Sequence, residues 1–291
     1  MSKTSEKPKL LIFSNCQCTG MAKALARSGV FSQMYEAQWL FTNELEFPGR
    51  GWDSYPDDYM DGVEIVWEQI IDSVTDVRLE FNRRLPAGVR RIRFPTVLAR
   101  SLWPHDVGEP VAPGKPWYLG HSDRLAMAVR GMIASKRVSD ADILEMYSEL
   151  ELKKSGNLSR FLEIDRDMAS NRDAKSDVTI GDFIAERFQR ECLFSNGIRP
   201  SPILYREIFA RLVTHTFADT PGLAEQILTE LAPILECFTG VDDEEVPISP
   251  LVAERLSLGW FQPDRLYRWR FHQWTRDEWL INIIRLRSYV M

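Results

Sequence analysis

Along the first hundred residues apolar positions gather in short dense runs divided by turn residues. Leu10 to Phe13 is a continuous apolar run that ends abruptly at Ser14-Asn15-Cys16-Gln17, after which Met21, Leu25 and their neighbours carry a helical period until Gly29 stops it. This reads as a strand, a tight turn and a helix. Further strand-like runs occupy Tyr35 to Phe41, Val63 to Trp67 and Arg90 to Val97, the last weighted by Ile92, Phe94 and Val97. Between the last two, Ile70 to Leu85 is long enough for a crossover helix. Strands alternating with crossovers predict an α/β fold: a small parallel sheet, doubly wound in the Rossmann or flavodoxin manner, with helices on its faces. Asn43 to Asp61, rich in Pro, Gly, Asp and aromatic residues, reads as an inserted surface loop or lid.

After about residue 105 strand patterns thin out and helix starts take over. Ser139-Asp140-Ala141-Asp142 resembles a capping box, and Thr275-Arg276-Asp277-Glu278 is one in full. Ser201-Pro202, Thr220-Pro221 and Ser249-Pro250 each set a cap residue before a first-turn proline. The expected organisation is a flexible tail at 1–8, an α/β core at 9–107, and a mainly helical part at 108–291 packed on the sheet edge. A Gly/Pro-containing linker from Gly108 to Pro116 joins the last two. Leu266 to Phe271 alternates, with Tyr267, Trp269 and Phe271 on one side and Arg268 and Arg270 on the other, so one late strand is expected.

A chain of 291 residues buries about 75% of its unfolded surface and needs no disulfide or metal staple. Its 36 Lys and Arg against 42 Asp and Glu, net −6, argue against a general nucleic-acid or anionic-membrane binder. No apolar run approaches the roughly 18 residues of a membrane span. The polar stretch from Met1 to Lys9 leads into only four apolar residues, too few for a secretion signal, so a cytoplasmic location is expected. The cysteines at 16, 18, 192 and 237 form no C-x-x-C pair and have no histidine at zinc spacing; they read as thiols, and no metal is expected.

The turn after the first strand carries the most chemistry. Ligands of open α/β sheets bind beyond the carboxyl ends of the strands, and a helix N-terminus there attracts anions and lowers the pKa of a thiol. Cys16 is thus a candidate nucleophile, with Asn15 and Gln17 as amide donors toward an oxyanion. The alternative is that Cys16 is a small buried hydrophobe and Asn15 only caps the helix. His121, just before a helix whose core face reads as Leu125, Met132 and Ile133, is a candidate general base or else a surface residue beside a Ser122 cap. Asn196-Gly197-Ile198-Arg199-Pro200-Ser201 joins two helices and sets an arginine just ahead of a helix start, two attractions for phosphate in one place. H-x-x-x-D-like matches at His215 and His272 are too cheap to use. The absence of G-x-G-x-x-G, Walker, H-E-x-x-H and G-x-S-x-G patterns removes the best evidence for nicotinamide enzymes, P-loop enzymes, zincins and ordinary serine hydrolases.

Asn15-Cys16-Gln17, Ile65-Val66-Trp67-Glu68-Gln69, Arg93-Phe94-Pro95, and Ile180-Gly181-Asp182-Phe183-Ile184 running on to Leu193-Phe194 together resemble the WcbI family of polysaccharide (capsule) biosynthesis enzymes, as does the stretch from Pro247 to Leu258. The likeness spans most of residues 9–260. It implies a coenzyme A-binding acetyltransferase that decorates a capsule sugar. Combined with the residue reading above, this makes Cys16 and His121 the expected catalytic pair, with transfer to a sugar hydroxyl either direct with His121 as base or through an acyl-Cys16 intermediate, and Asn15, Gln17, Asn196, Arg199 and Ser201 the expected contacts to the carrier. Two departures stand out. Ser14 replaces a customary Gly, and Ile198-Arg199-Pro200-Ser201 stands where Asn-His-Pro-Thr is frequent, which removes an acid/base histidine but leaves an arginine for phosphate. The implied partners are acyl-CoA and a glycan, with a homo-oligomer open. The rivals are a flavodoxin-like esterase using water as acceptor and a non-catalytic CoA- or glycan-binding module.

Overall fold

The computed structural model describes residues 7–15, 17–42, 45, 51–70, 76–106, 123–237, 244–269 and 271–285. Two compact units alternate along the chain. One gathers Met1–Val97, Met168–Ile184 and Pro202–Val241; the other gathers Leu98–Asp167, Ala185–Ser201 and Asp242–Met291.

The first unit runs β1 (Lys9–Ser14), α1 (Gln17–Leu25), α2 (Gly29–Met34), β2 (Glu36–Phe41), β3 (Val63–Ile70), α3 (Asp76–Arg84) and β4 (Arg90–Pro95). The strands are parallel in the order β2-β1-β3-β4. The chain moves from β1 to β2 on one side and returns to β3 on the other, so the topological switch point lies between β1 and β3. The α/β fold read from the sequence is therefore present. β3 runs three residues beyond the apolar run Val63 to Trp67 because Glu68 and Gln69 stay in the sheet although both are buried and polar.

Both faces of this sheet are covered, and successive residues of each strand alternate between them. On one face Leu11, Phe13, Leu40, Val66 and Phe81 form a core in which the Phe13 and Phe81 rings stack at 3.8 Å. Leu45 and Met60 of the expected surface insertion are buried in that core, and Trp52, Tyr55 and Tyr59 pack against it. The described part of the insertion is therefore packing material, since its aromatic residues have a sheet face to cover. On the other face Trp67 donates its indole N–H to Thr216 Oγ1 at 2.8 Å and meets Phe209 edge-on at 5.8 Å, which ties the helix Pro202–Thr216 to the sheet. Glu68 is buried and ion-paired to Arg78 at 2.7 Å and to Arg91, with Arg93 at 3.8 Å.

The second unit contains the helices Arg124–Ile133, Asp140–Lys154 and Arg276–Ile284 and two antiparallel hairpins, β5 (Phe194–Asn196) with β6 (Arg199–Pro200) and β7 (Tyr267–Trp269) with β8 (His272–Trp274). The single late strand expected near 266–271 is thus half of a hairpin. Tyr267 and Trp269 are buried, but Phe271 sits in the connecting turn and is 94% exposed, because the alternation stops where the chain reverses. Capping boxes form at Ser139 and Thr275. Of the three hydroxyl-proline starts, Ser249 caps through its side chain, accepting from the Leu251 N–H, while Thr220 makes no such bond and the Ser201 hydroxyl has no partner among the described residues. The proline is the dependable part of that signal, since its fixed φ suits a first helical turn whatever the hydroxyl does.

In the first unit Asp173 accepts the N–H groups of Ile180 at 3.0 Å and Gly181 at 2.7 Å, which starts the helix Gly181–Arg187. A Cβ at position 181 would lie 2.6 Å from Asp173 Oδ2, so only glycine allows this approach. Gly181→Ala is expected to destabilise the protein by about 1–3 kcal/mol, the usual cost of forced overpacking. Urea unfolding measures this, and an unchanged midpoint would contradict it.

Candidate active site

β1 ends at Ser14, which is buried, and its hydroxyl donates to Gln69 Oε1 at 3.0 Å. The Asn15 backbone N–H donates to the same oxygen at 3.2 Å. One acceptor at the end of β3 thereby ties down the last residue of β1 and the first residue of its turn. Asn15 then starts α1: its Oδ1 accepts the Gln17 N–H at 3.2 Å, and its carbonyl accepts the Cys18 N–H at 3.0 Å. Those two N–H groups, expected to meet a ligand anion, are taken by Asn15, so Asn15 performs the helix-capping role. Tyr205 donates its hydroxyl to the Gln17 carbonyl at 3.3 Å.

The turn also holds polar groups with nothing to bond. Gln17 is 1% exposed, and neither end of its carboxamide has a hydrogen-bond partner among the described residues. Gln69 is also 1% exposed, and its Nε2 is likewise without one. Leaving such a group unmatched in a protein interior costs about 1–3 kcal/mol. Two such residues, one opening α1 and one near the end of β3, lie on the elements that flank the topological switch point, an arrangement suited to a ligand carrying its own donors and acceptors. Cys16 is framed in sequence by Asn15 and Gln17 but lies outside the described residues, as does His121.

Asn196, Arg199 and Ser201 belong to the second unit. Asn196 Oδ1 accepts the Ile198 N–H at 3.1 Å, which shapes the β5-β6 turn. Arg199 is half-buried in β6, paired across the hairpin with Asn196, so it sits in a ladder instead of free in a loop. Ser201 is buried and donates its N–H to the Leu193 carbonyl at 2.8 Å. The helix after His121 begins at Arg124 and is capped by Asp123, not Ser122, because the Asp123 carboxylate accepts the N–H groups of Leu125 and Ala126. Its buried face is Leu125, Ala126 and Val129; Met132, expected in the core, is exposed.

A family model described as "Polysaccharide biosynthesis enzyme WcbI" matches residues 79–217. The chain is thus similar to the WcbI family over 139 of its 291 residues. A solved structure described as WcbI, a novel polysaccharide biosynthesis enzyme, in its native form without a disulfide bond between CoA and a cysteine, is similar over 98% of this chain and 91% of that one, with a TM-score of 0.70 and 15% identity. At that identity the likeness establishes a shared fold. No curated protein matches in sequence.

Of the cysteines among the described residues, Cys18 is buried, Cys192 half-buried and Cys237 exposed. Among the described residues no helix is long and apolar enough to cross a membrane, and no cluster of His, Cys, Asp and Glu could hold a metal. Sequence reasoning gives Gln69 no role, although it is polar and stands at the end of a buried strand. It also passes over a cavity of about 30 Å³ in the second unit, lined by His105, Asp123, Tyr147, Glu151 and Arg276. That is room for a water or two, not for a substrate.

Around this cavity Tyr147 donates to Asp123 at 2.8 Å and Arg276 reaches Glu151 at 3.4 Å. Arg124 can only donate, so His105 Nδ1 accepts from it at 3.4 Å and His105 Nε2–H faces Ser155 Oγ at 3.2 Å, the neutral tautomer. Burial holds the His105 pKa below its ordinary 6.5 and pushes Glu151 above its ordinary 4.5. The two groups act with opposite sign. The His105 contribution to stability is full above pH 6.5 and is lost as pH falls through the folded value; that of Glu151 is full below pH 4.5 and is lost as pH rises through its folded value. His105→Gln should therefore flatten the fall in stability just below pH 6.5, read from urea midpoints at a series of pH values. An identical slope in both proteins would contradict a neutral His105.

Proposed function

We propose that this chain is a coenzyme A-dependent acyltransferase that moves an acetyl or related acyl group to a sugar hydroxyl in polysaccharide (capsule) biosynthesis. The observation that carries the reading is a pair of buried glutamines beside the turn after β1: among the described residues Gln17 has no partner at either end of its carboxamide, and Gln69 has none at Nε2. The match to the WcbI family model supports polysaccharide chemistry, and the description of the solved WcbI, which speaks of a disulfide between CoA and a cysteine of that protein, supports a thiol working beside that carrier. Acyl-CoA supplies the acyl group as an activated thioester. The Cys16 thiolate attacks that carbonyl, its new C–S bond forming as the bond to the carrier's sulfur breaks and the carrier leaves as thiolate. Gln17 donates to the carbonyl oxygen as it gains charge, a contribution of about 3 kcal/mol for a well-placed donor. The sugar hydroxyl then attacks the acyl-cysteine, a C–O bond replaces the C–S bond, and His121 accepts the hydroxyl proton.

CoA at about 100 times its dissociation constant should stabilise the protein by about 2.7 kcal/mol, visible as a thermal shift. Cys16→Ser should keep that shift and lose acyl transfer from acetyl-CoA to capsule saccharides, followed by thiol release. The absence of any shift would overturn the reading, as would full turnover by Cys16→Ser. Acyl loss to water alone would make the protein a hydrolase, and a shift with no acyl loss would make it a binding module.

A further inference from the structure

We infer that Gln69 is a second catalytic donor, its Nε2–H directed at the oxygen of the acyl carbonyl during transfer. This inference rests on the acyltransferase reading above. A carboxamide is ordinarily ambiguous, because its oxygen and nitrogen can exchange places. Here the ambiguity is resolved by chemistry. The Asn15 backbone N–H can only donate, so the atom it meets at 3.2 Å must be Oε1, which the Ser14 hydroxyl also joins at 3.0 Å. With the oxygen pinned twice, the nitrogen is fixed one carbon away at the same turn and is left with N–H groups that no described residue accepts.

The backbone of Gln69 is held as firmly as its side chain. Arg78 donates to the Gln69 carbonyl at 2.7 Å, and its other guanidinium nitrogen is paired with Glu68 at 2.7 Å. Glu68 cannot serve as the missing acceptor: consecutive strand residues face opposite sides of the sheet, and its carboxylate is engaged by arginines on the far face. Gln69 is thus a buried donor of fixed orientation, placed before substrate arrives, which is the property required of a group that stabilises developing negative charge without reorganising. Gln17 approaches the same turn from the start of α1, so one donor comes from each side of the switch point.

The test is Gln69→Glu. A carboxylate still accepts from Ser14 and Asn15, so the tie between β1 and β3 is kept while the donor becomes an anion. Acyl transfer from acetyl-CoA should fall about 100-fold in kcat with KM little changed. A second readout needs no turnover: an unreactive ketone analogue of acetyl-CoA, with a methylene between sulfur and carbonyl, should bind the wild type several-fold tighter than CoA, and the variant should lose that preference while binding CoA within twofold of wild type. A folded variant with wild-type kcat, or one that keeps the preference for the ketone, overturns the donor role. Equal loss of affinity for CoA and for the ketone overturns it too, in favour of a purely structural tie. Failure of the wild type to bind CoA at all would instead defeat the acyltransferase reading and this inference with it. Should Gln69→Glu fail to fold, Gln69→Met, uncharged and of similar length, is read in the same two assays.

Discussion

A single carbonyl oxygen, Oε1 of Gln69, organises the carboxyl edge of the sheet. By accepting from Ser14 and Asn15 together it joins the end of β3 to the end of β1 and sets the path of the turn between β1 and α1. The rest of the local geometry follows. Asn15 is placed to cap α1, the backbone of Gln17 is placed under the Tyr205 hydroxyl, and the other end of the Gln69 carboxamide has its direction fixed. Buried hydrogen bonds of this kind persist because the strands carrying them are anchored elsewhere, by the stacked Phe13 and Phe81 on one face and by Trp67 against Phe209 and Thr216 on the other.

Two polar residues next to each other in β3 show how scaffold and site differ physically. Glu68 is a buried charge surrounded by guanidinium groups, and its neutralisation keeps a loaded carboxylate inside the fold. Gln69 is equally buried and carries no charge, yet half of its hydrogen-bonding capacity is unused by the described residues. Both residues are polar and hidden, so neither burial nor polarity separates them. What separates them is whether the protein itself supplies the partner. The same criterion sets Gln17 apart from Asn15, two amides two residues apart, of which the second is committed to the helix start.

The four strands were legible because each is a compact apolar run, and the candidate turn was legible because a buried-type strand stops abruptly at small polar residues before a helical period begins. Family resemblance lay in motifs along those same elements. Gln69 was not legible as a site residue, since its partners lie 54 and 55 positions away and local patterns carry no information about such pairs. For the same reason the sequence could mark Met168–Ile184 and Pro202–Val241 as helical but could not say that they gather with the sheet. Phe271 misled because alternation continues by chance through a residue that the hairpin turn points outward. Arg199 was read as a loop residue because a strand as short as Arg199–Pro200 leaves almost no periodic signal.

If the Gln17 and Gln69 carboxamides are held ready for a bound acyl carrier, their side-chain N–H2 resonances report its arrival. In the intact protein, labelled with nitrogen-15 at glutamine, the resonances of Gln17 and Gln69 should move as acetyl-CoA or its ketone analogue is added to saturation, while that of the exposed Gln226 stays in place. Saturable binding that leaves Gln17 and Gln69 unmoved would contradict that role.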